Sequence, residues 1–199
     1  MPVELTTVDT LKEQVGIPAG DTSEDGRLLR MIRAASAAAE NYCSREFAVR
    51  EYTDIFQCTE PREVLHLTGY PVTVITEVSY GGDVLPAGDY TCGEEAGVLV
   101  RDAGPWAKET VVTYEAGYVL PAATAGRTLP YDLEDAVVLW CNDKYNTDRA
   151  AGLDSRRVDV LQESYESRTN KFITTGGHIL SAPPAVMALL NPYRRMQRG

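Results

Sequence analysis

Side chains that commonly carry enzyme chemistry are few and scattered in this sequence. His66 lies in the alternating segment EVLHL, where an ordinary strand position accounts for it, and His178 follows a pair of glycines. Neither histidine belongs to an HExxH motif or has a cysteine or carboxylate nearby at metal-ligand spacing. We therefore predict that the protein holds no metal ion and no cofactor.

Motifs for a catalytic nucleophile or a bound nucleotide are missing as well. The sequence contains no GxSxG elbow, no GxxxxGK(S/T) loop and no GxGxxG turn. Two carboxylate clusters occur. Glu94 and Glu95 indicate a turn, whereas Asp132, Glu134 and Asp135 suit the first turn of a helix, where negative charge is favourable. The chain is predicted not to be an enzyme, and a hydrolase that uses dispersed carboxylates is the least favoured hypothesis.

The four cysteines, at positions 43, 58, 92 and 141, are too far apart in sequence for a CxxC metal or redox pair. Cys43 and Cys141 fall within helix-like patterns, and we interpret both as small buried hydrophobic residues. Unpaired thiols of this kind fit a reducing cytosol.

Length and composition limit the class of protein. A chain of 199 residues fits one large domain or a compact domain with an insertion. With a formal net charge of −10, it lacks the basic excess of proteins that grip nucleic-acid phosphates. No apolar run is long enough to span a membrane, and the N-terminus lacks the features of a signal peptide. We expect a protein made in a cytoplasm, without a membrane partner.

Residues 1–47 show helical periodicity. Thr7 is predicted to cap a short helix that stops at Gly16, and a longer helix is predicted to open at Asp21 or Ser23. The apolar positions of the longer helix recur at helical spacing and form one stripe: Leu28, Leu29, Ile32, Ala35, Ala39, Tyr42 and Cys43.

The run from Ala34 to Ala39, interrupted only by Ser36, gives this longer helix a thin surface. Another backbone can approach such a surface closely. We interpret it as a contact between helices of one chain, in preference to a contact between subunits.

Between residues 48 and 115 the period changes to two. One strand is predicted over Val72–Tyr80. One of its faces carries Val72, Val74, Thr76, Val78 and Tyr80, and the other carries Thr73, Ile75, Glu77 and Ser79. Glycine- and proline-containing turns separate further short strands, which are expected at 51–56, 64–67, 90–92, 97–101 and 110–114. This pattern is typical of a small antiparallel sheet or barrel.

Helical periodicity returns within 116–199. Pro130 suits the first turn of a helix whose apolar face comprises Leu133, Val137, Trp140, Cys141 and Tyr145. The polar segment 147–181 is long for a compact domain, and strands are expected near 158–167 and 172–180. A short helix at 185–190 precedes the basic end YRRMQRG. The predicted fold class is α+β, a helical core (1–47 and 116–199) with an inserted antiparallel β module (48–115).

Several phrases occur in an order typical of one family. LTTVDTLKEQVGIPAGDTSEDGRLLRMIRAASAAAENYCSREF resembles the opening helices of tailed-phage head–tail connector (adaptor) proteins of the gp6-like group. GYPVTVITEVSYGGDVLPAGDYT and WAKETVVTYEAGYVLP are similar to the β insertion of its longer gp8-like members. LPYDLEDAVVLWCNDKYNTDR resembles the helix that follows, and APPAVMALLNPYRR resembles the ending.

This resemblance implies a structural virion protein of the head–tail connector region, without catalytic residues. Copies of it would form a ring, of twelve subunits in the virion, beneath the portal protein. The ring would extend the channel for double-stranded DNA, which would pass without sequence-specific binding. It would also give neck or tail completion proteins a platform for attachment.

The resemblance also implies roles for two parts of the chain. The C-terminal segment would dock on the portal through Tyr193, Arg194, Arg195 and Arg198. The loop at 154–177 would help to build the ring or its lumen through Arg156, Arg157, Tyr165, Arg168 and Lys171. Two alternatives stay open. One is that the arginines are only favourable charge at a helix terminus, and the other is a binding module whose sheet recognises a carbohydrate or another virion protein.

Overall fold

The computed structural model describes residues 3–123, 126–150, 170–173 and 179–195, with the backbone alone at 148–150, 170–173 and 179–181. The chain divides into two compact units. Met1–Arg45 together with Leu120–Gly199 form the first, here called the helical unit, and Glu46–Val119 form the second, here called the β module. Helices and antiparallel sheets coexist, so the predicted α+β class is confirmed.

The described residues of the helical unit contain four α-helices: α1 (Val8–Val15), α2 (Asp25–Cys43), α3 (Tyr131–Ala150) and α4 (Pro184–Leu190). A 3₁₀ turn, Asn191–Tyr193, follows α4 directly. Two short strands that precede α4 in the chain pair as an antiparallel hairpin, β8 (Asn170–Ile173) with β9 (Ile179–Ala182). The hairpin replaces the single strand that was predicted near 172–180, whereas residues 158–167 lie outside the described residues.

Helix α1 has the two ends that its sequence predicts. The Thr7 hydroxyl accepts a hydrogen bond from the Thr10 amide at 3.1 Å, which satisfies one of the unpaired donors of the first turn. Gly16 adopts a left-handed conformation (φ 74°), and its amide donates a hydrogen bond to the Glu13 carbonyl at 3.4 Å, which ends the helix. Both predictions for this helix are confirmed.

Helix α2 begins later than predicted. Its N-cap is Glu24, which makes no side-chain capping bond. Asp21 instead accepts a hydrogen bond from the Ser23 amide at 2.9 Å, so this carboxylate stabilises a local turn before the helix. The prediction of a start at Asp21 or Ser23 was wrong for this reason. The predicted stripe is buried except at Leu29, which is half-buried.

The β module has seven strands: β1 (Arg50–Phe56), β2 (Val64–His66), β3 (Val72–Tyr80), β4 (Asp83–Val84), β5 (Tyr90–Gly93), β6 (Val98–Arg101) and β7 (Thr110–Ala116). They form a four-stranded sheet in the order β1-β7-β3-β4 and a three-stranded sheet in the order β2-β6-β5. All the pairs are antiparallel.

Strand β3 departs from the predicted alternation. Its register against β7 shifts between Val72 and Val74 and again between Ile75 and Glu77. An irregularity of this kind changes which face the following side chains occupy. Val72, Val74 and Val78 were predicted to share one face, but Val72 and Val78 are buried whereas Val74 is 54% exposed. Ile75, predicted on the other face, is half-buried.

A hydrogen-bonded tyrosine organises the core of the β module. The Tyr114 hydroxyl donates to Asp54 Oδ2 at 2.7 Å and accepts from the Gly69 amide at 2.8 Å. The Tyr52 ring stacks on Tyr114, with 5.5 Å between ring centroids. Burial, aided by the Asp54 carboxylate, raises the pKa of Tyr114 well above its usual range, so the phenol stays protonated.

The first and last strands of the module lie side by side. Strand β1 pairs with β7 along its whole length, from Arg50 opposite Ala116 to Phe56 opposite Thr110. Beyond the strands the Tyr118 amide donates to the Phe47 carbonyl at 2.7 Å. The chain therefore enters and leaves the module at neighbouring positions.

Charge is distributed unevenly between the two units. The β module carries 13 acidic and 4 basic residues, a net charge of −9, whereas the remaining 16 acidic and 15 basic residues give −1. The acidity of the protein is therefore a property of the β module.

Replacement of Gly117 by alanine should destabilise the β module. Gly117 has φ +122°, and an added Cβ would lie 2.5 Å from the Ala48 carbonyl oxygen, a backbone atom that cannot move aside. We expect Gly117→Ala to lower the free energy of unfolding by about 2–4 kcal/mol. Gly88→Ala is the control, because nothing lies near its Cβ position, and it should change stability by less than about 1 kcal/mol. Equal urea unfolding midpoints for the two variants would contradict this.

Candidate functional site

Polar contacts hold the described part of the C-terminal segment, Asn191 to Arg195, on helices α2 and α3. The Tyr193 hydroxyl donates to Asp132 Oδ1 at 2.6 Å, at the start of α3. The Tyr42 hydroxyl donates to Asn191 Oδ1 at 2.5 Å, and the Arg195 amide donates to the Cys43 carbonyl at 2.8 Å. The predicted docking residues therefore follow a fixed scaffold.

Two arginines project from this scaffold. The side chains of Arg194 and Arg195 are exposed, and the Arg194 guanidinium lies 5.4 Å from the centroid of the Tyr42 ring. Tyr193, the third predicted docking residue, is half-buried and engaged with Asp132. Arg198 lies outside the described residues.

Most of the predicted ring or lumen residues lie outside the part of the chain that the structure describes. Arg156, Arg157, Tyr165 and Arg168 lie outside the described residues, and Lys171 is described only as backbone in β8. The role of this group stays a prediction.

One carboxylate of the Asp132, Glu134 and Asp135 cluster is buried, which sequence reasoning missed. Asp132 and Asp135 are exposed, but Glu134 is only 4% exposed. Glu134 Oε1 accepts from the Thr6 hydroxyl at 2.8 Å, and Oε2 pairs with the Arg127 guanidinium. Helical spacing was the available signal, because Glu134 lies three residues before Val137 and seven before Cys141 on the apolar face of α3.

Besides pairing with Glu134, the Arg127 side chain contacts residues close to the start of α3. Its guanidinium lies 3.9 Å from the Tyr131 ring centroid, and Nε donates to the Leu129 carbonyl at 3.0 Å. The buried carboxylate thus joins the N-terminal segment, through Thr6, to the start of α3. The geometry is that of a structural brace.

The remaining candidates for chemistry are dispersed. His66 is exposed on β2, and His178 lies outside the described residues. Glu94 and Glu95 form an exposed 3₁₀ turn. Within the described part of the chain, no three His, Cys, Asp or Glu side chains are grouped so that they could hold a metal ion. Among those same residues, no helix is long and apolar enough to cross a membrane.

A stacking surface for sugars is not found on the described sheets. The aromatic side chains of the strands pack into the core of the β module or against it: Tyr52, Phe56, Tyr80, Tyr90 and Tyr114. The large hydrophobic side chains that the strands expose are aliphatic: Ile55, Val74, Val84 and Val100. The expected signature of a carbohydrate-binding module is therefore not present on these strands.

Two of the cysteines behave as the sequence predicts. Cys43 and Cys141 are buried and free, and the Cys43 thiol donates to the Leu190 carbonyl at 3.6 Å. Burial raises the pKa of each thiol to about 12. Both therefore act as small, inert core residues.

Comparison with family models gives a match to the head completion protein family over residues 4–196. The chain belongs to that family. Members are viral structural proteins of head–tail connection and virion assembly, so the resemblance to phage head–tail connector proteins is confirmed. A comparison with curated proteins finds no match.

Solved structures share the fold at low sequence identity. A chain of the "Neck of empty GTA particle computed with C6 symmetry" is 18% identical, with a TM-score of 0.56 over 98% of this chain and 92% of its own. A chain of the "Virion of native gene transfer agent (GTA) particle" is 19% identical, with a TM-score of 0.55 and the same coverage. A chain of the "Neck of native GTA particle computed with C12 symmetry" is 16% identical, with a TM-score of 0.51 over 100% and 97%.

Removal of Arg127 should destabilise the protein, because the buried Glu134 carboxylate would lose its positive partner. We expect Arg127→Ala to lower the free energy of unfolding by about 2–4 kcal/mol, because an uncompensated buried charge would remain. Exposed Arg30 provides the control, and Arg30→Ala should change stability by no more than about 0.5 kcal/mol. Adding Glu134→Gln to Arg127→Ala should recover part of the loss. If Arg127→Ala costs no more than Arg30→Ala in urea unfolding, the brace is unimportant.

The raised thiol pKa values predict a loss of stability in alkali. In the unfolded chain Cys43 and Cys141 ionise near 9, whereas in the folded protein they hold their protons up to about 12. The contribution of these thiols to stability is therefore constant below about pH 9 and falls between pH 9 and 12, by up to about 1.4 kcal/mol per pH unit for each thiol. Urea unfolding at pH 8.0–10.5 should show a shallower decline for Cys43→Ala and Cys141→Ala than for the wild type. Equal declines in stability with pH for the variants and the wild type would refute the raised pKa values of the two thiols.

Proposed function

We propose that the protein is a non-enzymatic adaptor that forms a ring between the portal and the tail. The ring extends the DNA channel and offers neck or tail proteins a platform for attachment. The observation that carries this proposal is the family match over 4–196, which spans both units.

The similar solved chains support a ring. Two of them come from necks computed with sixfold and twelvefold symmetry, and each covers nearly the whole of this chain. Repetition about an axis requires that identical copies meet through two different surface patches, a heterologous contact that closes by rotation. We propose twelve copies in the virion.

The portal is the proposed partner of the C-terminal arginines. Arg194 and Arg195 are exposed on a segment whose backbone and tyrosines are fixed to α2 and α3, so docking needs little ordering of their backbone. Arg198 follows in sequence and adds a third positive charge. Tyr193 contributes by positioning the segment through Asp132.

We propose that double-stranded DNA passes through the channel without being bound as a ligand. A net charge of −10 repels phosphates and opposes tight binding of the duplex. The loop at 154–177, with Arg156, Arg157, Tyr165, Arg168 and Lys171, is proposed to line the ring or the lumen.

Light scattering and negative-stain imaging test the adaptor function directly. The full chain is measured alone and then mixed with the cognate portal. We expect rings, either free or on the portal, and the mass gives the copy number. A chain that stays monomeric and ignores the portal would overturn the proposal.

The arginine cluster should control portal docking. We expect Arg194→Ala combined with Arg195→Ala and Arg198→Ala to weaken binding to the portal by tenfold or more at low salt, and by less as salt rises. A matched control removes three exposed positive charges elsewhere, by Arg62→Ala, Lys108→Ala and Lys144→Ala. Equal portal affinity for the two triple variants would remove the docking role of the C-terminal arginines.

A further inference from the structure

Helix α3 presents an outward face that is both apolar and acidic. Tyr131 is 74% exposed and Leu139 is 36% exposed, two helical turns apart on the same side. Asp135 lies between them and Asp143 lies one turn beyond. Neither aspartate has an ion-pair partner among the described residues. Large exposed apolar side chains at regular helical spacing are the type that anchors protein interfaces.

Tyr131 is also held in place. The Arg127 guanidinium lies against its ring at 3.9 Å, and Arg127 is in turn fixed by the buried Glu134 carboxylate. A side chain that is pre-ordered loses less conformational entropy when a partner covers it. Tyr131 is therefore exposed, and its side chain is already ordered before a partner covers it.

Helix α2 presents an outward face of the opposite character. The exposed positions on one side of this helix are small or basic: Gly26, Arg30, Arg33, Ala34, Ala37 and Asn41. Arg33 is anchored by Glu4 at 2.8 Å, whereas Arg30 has no ion-pair partner among the described residues. Small side chains let another helix approach closely and leave room for larger ones.

The two faces cannot meet within one copy. Each lies opposite the buried stripe of its own helix, and the stripes of α2 and α3 pack into the common core of the helical unit. Because they differ from each other and are complementary in size and charge, they suit a contact between two copies.

We propose that the outward face of α3 in one copy packs on the outward face of α2 in the next. Tyr131 and Leu139 cover the small surface around Ala34 and Ala37, and Asp135 faces the side of α2 that carries Arg30. The inference rests on the proposed ring and names the surfaces that join its subunits.

Charge exchange tests this contact in the full-length chain, with assembly followed by sedimentation velocity alone and with the cognate portal. Arg30→Glu and Asp135→Arg each place like charges across the proposed contact. We expect each single variant to need about tenfold more protein for half-maximal assembly. An equimolar mixture of the two should assemble as the wild type does, since alternating copies restore opposite charges at every contact.

Matched controls reverse charges in the β module. Arg62→Glu and Asp89→Arg alter exposed residues of the same types that do not belong to either helix face, and each should assemble as the wild type does. Circular dichroism verifies that all the variants are folded.

The outcomes separate the two proposals. Wild-type protein that forms no ring even with the portal would overturn the adaptor function, and this contact with it. Wild-type rings together with unimpaired Arg30→Glu and Asp135→Arg variants would overturn the contact alone. Impaired single variants that are not rescued by mixing would also overturn it, because these faces would then meet something other than each other.

Discussion

The structure depends on one constraint, that the β module must begin and end at the same place. Strand β1 pairs with β7 over seven residues, and the bond from the Tyr118 amide to the Phe47 carbonyl extends this pairing to the boundary. Gly117 permits it, because its left-handed backbone passes the Ala48 carbonyl at a distance that no side chain would tolerate. A 74-residue excursion can therefore interrupt the helical unit while its two ends remain adjacent.

The helical unit is then closed by contacts between distant parts of the sequence. Thr6 reaches Glu134, and Tyr42 reaches Asn191 over a separation of 149 residues. Such contacts are expensive in chain entropy and cannot form until both segments are present. The same contacts place Arg194 beside the end of α2, so the scaffold that completes the fold also fixes the candidate docking residues.

Local signals in the sequence were sufficient for the elements that local interactions decide. Helix α1 follows from the Thr7 cap and from Gly16, and the α+β class follows from the change of period. Predictions failed where a competing local bond or tertiary packing decided the outcome, as with the Asp21 turn before α2 and the bulges of β3. Helical spacing places Glu134 on the apolar face of α3, but no local pattern reveals its partner Thr6, which lies 128 residues away in the sequence.

The separation of charge between the two units has a consequence for the approach of one copy to another. A β module of net charge −9 repels the β module of a second copy, and this repulsion acts over about 8 Å at physiological ionic strength. The nearly neutral helical unit adds little to the repulsion. Long-range charge therefore opposes contact between β modules far more than contact between helical units.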